Sequence, residues 1–291
     1  MYKTTHERGM GRMSNIYYAK FNVNEDIFKI YKNHKKLSDI LEYVLLNMDS
    51  KNSYRDEKTN VKYRFYRINK DFKKNIIFGW LLKIYDEENF NIFDEGYEKL
   101  DDITLKKVSY AIPFSFNLTT EVIAFVPKQK FGYRNFINIF KILFENNLPE
   151  VGYVNITMLV DKKSAEAKFV EIDKMNVFTA VIVPPNGSED ILDDMDEIID
   201  ELQEANIKEY KHELKSDVRD PIKKTSKIVS ILRQVAEYGA GYYYAKGKNA
   251  SDSWIEINTK KDKKLFLKEP IDNNKRDSPI EVMYQSERIE E

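Results

Sequence analysis

The chain contains no cysteine. Disulfides, cysteine nucleophiles, thiolate metal sites and iron–sulfur ligation are therefore excluded, and the absence fits a reducing cytoplasm. Histidine is nearly absent as well. His6, His34 and His212 are the three present and no two are close in sequence, so a histidine-based metal site is not expected. With 10 glycines and 8 prolines in 291 residues, collagenous and low-complexity structure are excluded too. Long apolar runs are missing. The longest is the seven residues Ile76 to Leu82, against the roughly 20 that a membrane-spanning helix needs. No glycine-rich phosphate loop, nucleophile elbow or Ser/His/acid signature is present, so no cofactor is expected.

What is present is a well-anchored globular composition. Aromatic residues make up 13% and charged residues 33%, enough for a sizeable core under a charged surface. Formal charge is near balance at −1 but uneven: residues 1–150 carry +5 and residues 151–200 carry −7. That balance is no footprint of a generally basic protein, so nucleic-acid contacts would have to come from local patches. Residues 1–12 are polar and lack the apolar stretch of a signal peptide. Met13 reads as the natural start, with a disordered N-terminal tail as the other reading.

Hydrophobic periodicity orders the chain into alternating elements. Strands are expected at 14–23, 61–69, 75–86, 105–112 and 118–126, with Pro113 punctuating the last two. Residues 49–60 read as a polar loop. Helices are expected at 37–48 and 133–147, the second with an apolar face too wide for a lone surface helix. The second half gives strands at 152–160, 177–183, 207–214, 241–246 and 254–258. Helices are expected at 164–173, 191–205 and 223–238. The strand–helix–strand order over 177–214 suggests a βαβ-like unit, right-handed if its strands lie parallel. From Pro270 onward the chain reads as a loose polar tail. Taken together this is an α+β fold of two mixed lobes with largely antiparallel sheets. One lobe covers 13–128 and the other 129–270, with flexible tails at 1–12 and 271–291.

Three stretches are candidates for chemistry. The acidic segment Glu189, Asp190, Asp193, Asp194, Asp196, Glu197, Asp200 and Glu201 has the carboxylates of a magnesium-dependent nuclease. Its acids spread around the predicted helix, as a solvated face would. The stretch Gly239 to Lys248 combines glycines suited to a tight helix-to-strand turn with tyrosines and lysines. The tyrosines of the run Tyr242-Tyr243-Tyr244, Tyr243 foremost, could stack bases while Lys246 and Lys248 contact phosphate. A turn followed by a core-facing strand with two surface lysines explains the same residues. The strand from Val61 interleaves Lys62 and Arg64 with aromatics, and Lys73 and Lys74 follow in the loop, giving a second candidate phosphate patch. A half-exposed strand with solvated charges is the alternative. Lys223, Lys224, Lys227 and Arg233 fall on one predicted helix, where spacings of four (Lys223 to Lys227) and three (Lys224 to Lys227) let the three lysines form one positive surface.

The element order also resembles the RexA-like phage-exclusion family. The likeness rests on an opening tyrosine-rich strand followed by a helix, two strands over Tyr63 to Tyr85, and the segment Ala111-Ile112-Pro113-Phe114-Ser115-Phe116 before the strand Glu121 to Val126. The helix Tyr133 to Asn147 and a strand ending in Val183-Pro184-Pro185 complete it, covering about residues 13–215. The resemblance implies a homodimer that binds DNA with little sequence preference and works beside a membrane protein that depolarises the infected cell. The segment after Pro185 departs from the pattern, being acidic here where the family member is basic, so DNA contact would use the Lys62–Lys74 or Lys223–Lys248 regions. The function expected is a non-enzymatic, sequence-tolerant nucleic-acid-binding sensor or regulator in phage defence. The nuclease and a protein-interaction module are the alternatives.

Overall fold

The computed structural model describes residues 13–32, 34–94, 99–186, 201–217 and 219–288. Its larger sheet has the order β14-β1-β8-β7-β4-β3-β2, with β9 also paired to β1. The strands are β1 (Met13–Val23), β2 (Ser53–Asp56), β3 (Val61–Asp71), β4 (Ile76–Ile84), β7 (Ser109–Asn117), β8 (Val122–Phe125), β9 (Val154–Met158) and β14 (Lys268–Asp272), and every pairing is antiparallel. β5 (Glu87–Asp94) and β6 (Lys99–Lys106) form a separate hairpin.

Strand alternation decides which residues meet which layer. On one face, Ala19, Phe21, Phe65, Phe114, Phe116 and Phe125 are fully buried beneath α3 (Tyr133–Asn147) and α2 (Leu37–Asn47). α3 lays down Phe136, Phe140 and Phe144 at intervals of four, one above another on its buried side. Phe136 stacks on Phe125 with centroids 4.0 Å apart, and Phe140 meets Phe114 edge-on at 5.3 Å. Each such ring contributes about 1.5–3 kcal/mol by leaving water, so this aromatic layer dominates the lobe's stability. The wide apolar face expected for this helix is thus largely buried, with Ile142 half-buried at its edge.

The opposite face of β1 carries Ile16 and Tyr18. They pack with Ala124, Val126, Ile271 and Val282. Ile271 belongs to β14 and Val282 to α6 (Pro279–Ser286), so the polar stretch after Pro270, expected to be a loose tail, forms a strand and a helix. Ser278 caps α6 by accepting from the Glu281 N–H, with Pro279 in the first turn. Lys74 pairs with Glu287, and the Trp80 indole N–H donates to the Asp277 carbonyl at 3.2 Å. Residues after 128 therefore complete a sheet begun before it, since β9 and β14 both pair with β1.

Two further departures have local causes. Pro113 lies inside β7 rather than between two strands. Its carbonyl accepts from Val126, and in an extended residue N and O share a side, so its missing N–H faces the end of β8 and spares the β4 ladder. The expected loop at 49–60 contains the edge strand β2, whose Ser53 exchanges hydrogen bonds with the Asn147 side chain at the end of α3.

The smaller sheet has the order β11-β10-β12-β13, all antiparallel, from β10 (Lys174–Ile182), β11 (Tyr210–Lys215), β12 (Gly241–Lys248) and β13 (Trp254–Asn258). β10 and β11 are adjacent and antiparallel, so the parallel form of the βαβ-like unit is not adopted. One face carries Phe178, Ala180, Ile182, Tyr243 and Ala245. It packs on Val229, Leu232 and Val235 of α5 (Lys227–Glu237) and on Ala165 and Phe169 of α4 (Lys162–Val170). α1 (Ile27–Tyr31) joins Leu202 in a small cluster beside it. The whole is an α+β fold with mostly antiparallel sheets. Among the described residues no helix is long and apolar enough to cross a membrane.

Candidate nucleic-acid interface

The turn from α5 into β12 is set by glycine. Gly241 has φ +145°, and a Cβ there would overlap the Val181 carbonyl oxygen of the neighbouring strand. Once the chain is in β12, alternation divides the tyrosine run. Tyr243 is fully buried and its hydroxyl donates to the Glu237 carboxylate at 3.1 Å. The expectation that Tyr243 stacks a base is thereby corrected: the strand register turns it into the core. Burial and the facing carboxylate push its phenol well above the ordinary tyrosine range. Burial likewise raises Glu237, opposed by the Arg233 guanidinium and the Tyr243 hydroxyl.

Tyr242, Tyr244, Lys246 and Lys248 therefore share the other face, where all four are half-buried. Register extends this face across the sheet. Tyr244 lies between Thr179 of β10 and Asn258 of β13, Lys246 between Val177 and Glu256, and Lys248 opposite Trp254. Trp254 is 52% exposed. Lys260, just past β13, places its ammonium 4.1 Å from the centroid of Tyr242. Lys246 and Lys248 stand 5.2 and 5.6 Å from the Trp254 ring. The lysines are also ion-paired, Lys246 with Glu256 at 2.8 Å and Lys248 with Asp252 at 2.6 Å. Glu256 and Asp252 are held below the usual carboxylate range mainly by these ammonium hydrogen bonds.

The other basic candidates do not converge on this face. The helix expected at 223–238 begins only at Lys227, so Lys223 and Lys224 precede it and share no helical face with Lys227. A bridge between Ile222 and Met175 holds the chain extended up to that point. Lys224 donates to the Val170 carbonyl at 3.1 Å, neutralising the C-terminal end of α4. Arg233 pairs with Glu166 at 2.7 Å and lies 4.6 Å from the Phe169 ring. Lys223 and Lys227 are exposed. In the larger sheet, Arg64 is turned back to the Ser50 carbonyl and Lys74 to Glu287. Lys62 is half-buried on the outer face of β3, between Arg55 and Ile84, and Lys73 is exposed in the β3–β4 turn. The carboxylates Glu189 to Asp200 of the nuclease alternative lie outside the described residues. Among those described, no group of three or more His, Asp or Glu side chains is placed to hold a metal ion.

Sequence placed Tyr242 and Tyr244 in the tyrosine run without separating them from Tyr243, ranked the basic cluster of Lys260 below that of Lys223 to Lys227, and did not single out Trp254. The alternation around Tyr243 was the available signal for the first two. Trp254 and Lys260 reach the same face only through the β12–β13 register. A family model described as a domain of unknown function (DUF4747) matches residues 14–283. The chain belongs to the DUF4747 family. The match runs from β1 into α6, so both sheets, the aromatic face, the C-terminal strand and the first part of α6 fall within the DUF4747 unit. No curated protein matches the sequence.

Proposed function

We propose that the protein is a non-enzymatic, sequence-tolerant binder of single-stranded nucleic acid, acting as a sensor or regulator in phage defence. The supporting observation is the open face of the smaller sheet. It sets Tyr242, Tyr244 and Trp254 among Lys246, Lys248 and Lys260. Trp254 is exposed and Tyr242 and Tyr244 are half-buried on this face; sheet faces bearing accessible rings bind unpaired bases by stacking, which tolerates any sequence because every base has a flat face. A duplex hides its bases, so this geometry favours a single strand. From Tyr242 to Lys248 the face runs roughly 20 Å along β12.

Magnitudes favour exchange of the present contacts for a ligand. An exposed cation–π contact is worth about 0.5–1 kcal/mol and a surface ion pair about 0–1 kcal/mol. Stacking a base contributes about 1–3 kcal/mol. The lysines can swing on their flexible stems to phosphates while the bases take the rings. The phage-defence setting, the homodimer and a membrane-protein partner rest on the family resemblance alone. Competition between a labelled mixed-sequence single strand and unlabelled single or duplex strands of the same length tests the binding claim. The single strand is expected to compete better. Equal competition by duplex contradicts the stacking mode, and absence of binding at low salt leaves the protein-interaction module as the standing reading.

A further inference from the structure

On β13, Trp254 and Glu256 are two residues apart and so lie on one face of the strand, about 7 Å from each other. Both are accessible, Trp254 being 52% exposed and the Glu256 side chain 54% exposed. Glu256 lies opposite Lys246 in the β12–β13 ladder and pairs with its ammonium at 2.8 Å. The same ammonium stands 5.2 Å from the Trp254 ring. The register places Glu256 in the row between Tyr244, which lies opposite Asn258, and Trp254, which lies opposite Lys248. Partial burial and the nearby Glu256 carboxylate together raise the Tyr244 phenol. An exposed carboxylate thus stands between two of the rings to which the strand-binding reading assigns bases.

A carboxylate in that position repels phosphate, and it loses its partner when Lys246 turns to a phosphate. Its presence is therefore unfavourable for a bound strand unless a base occupies it. The Glu256 carboxyl, held below the usual range by the Lys246 ammonium, is ionised at neutral pH and only accepts hydrogen bonds. The bases differ in what they offer such a group. Guanine carries an imino N1–H beside its 2-amino group, two adjacent donors that match two carboxylate oxygens. Adenine and cytosine present one amino group with a ring-nitrogen acceptor beside it. Uracil and thymine present one imino N–H flanked by two carbonyl oxygens, which the carboxylate repels. Bidentate, charge-assisted pairing is both the stronger and the more selective of these options.

We infer that Glu256 is a specificity-determining residue that selects guanine at one position of a bound strand, the base stacking on Trp254 while its N1–H and 2-amino group donate to the carboxylate. This rests on the strand-binding reading and adds one preferred base to an otherwise tolerant surface. Competition by oligothymidylates of one length, each carrying a single central guanine, hypoxanthine, adenine or cytosine, tests it. The guanine strand is expected to bind roughly fivefold or more tighter than the adenine and cytosine strands. Hypoxanthine, which keeps N1–H and lacks the 2-amino group, is expected to fall between them. Glu256→Gln should abolish the guanine preference. Glu213→Gln, the same loss of charge at an exposed position of β11, should retain it. Equal affinity for all four strands, or a guanine preference that survives Glu256→Gln, overturns the inference and leaves the strand-binding reading standing. No binding of any strand at low salt overturns both.

Discussion

The Tyr243 hydroxyl donates to the Glu237 carboxylate at 3.1 Å, linking the middle of β12 to the last turn of α5 inside the smaller lobe's core. Arg233 completes the arrangement at 3.5 Å from the same carboxylate. Tyr243→Phe removes the neutral donor and leaves Glu237 with one partner fewer. A loss of about 1–3 kcal/mol is expected by chemical denaturation, because a buried acceptor is left under-satisfied. Affinity for a single strand at a temperature where the variant is folded should not change. A change in affinity with stability intact would place Tyr243 at the ligand, against the register.

Burial raises the phenols of Tyr18, Tyr31 and Tyr243 well above the ordinary range, reinforced at Tyr18 by Glu269 and at Tyr243 by Glu237. In the unfolded chain each ionises near about 10. A folded pKa raised above the unfolded one contributes stability that is complete below that pH and is lost as pH rises above it. Alkaline unfolding is therefore expected, with a late class of tyrosines ionising together with the loss of secondary structure. Absorbance at 295 nm followed beside circular dichroism checks this. A single reversible step for all 19 tyrosines with the spectrum unchanged would show that these rings are not buried.

Two basic clusters differ in what their lysines already hold. Lys260 covers Tyr242, whereas Lys224 is occupied at the end of α4. Replacing Lys260, Lys261 and Lys263 with Glu should weaken single-strand binding more than replacing Lys223, Lys224 and Lys227. Removing one phosphate-binding lysine should lower the log–log salt slope by roughly 0.7 for a single strand. Salt titrations of both variants decide it. Equal weakening by the two sets would mean that bulk charge, not this face, drives association.

The elements with strong periodicity were legible in the sequence. α3 is found at the predicted residues, and β13 likewise, because their patterns match one period without competition. What sequence hid was pairing. The polar β14 is a strand because β1 offers it an edge from Met13 to Tyr17, a non-local partner that no local pattern announces. Lys223 and Lys224 look helical by spacing, yet the Ile222 bridge to Met175 holds the preceding chain extended. At the candidate site, Lys246 and Lys248 were legible as surface residues of a strand. The role of Tyr243 was inverted because period-two alternation fixes two faces without saying which one the core takes. Tyr242 and Tyr244 follow at once when that choice is known.

The central claim is that unpaired bases stack on the open face of the smaller sheet. The chain has two tryptophans, Trp80 and Trp254, and Trp254 lies on that face. In a Trp80→Phe background, fluorescence therefore reports on Trp254 alone. Titration with a mixed-sequence single strand at low salt should quench this emission in a saturable way. Tyr244→Ala should weaken the titration by roughly tenfold, the equivalent of about 1.4 kcal/mol within the range for one stacked base. Tight strand binding with Trp254 emission unchanged, or with Tyr244→Ala indistinguishable from the parent, would contradict the claim.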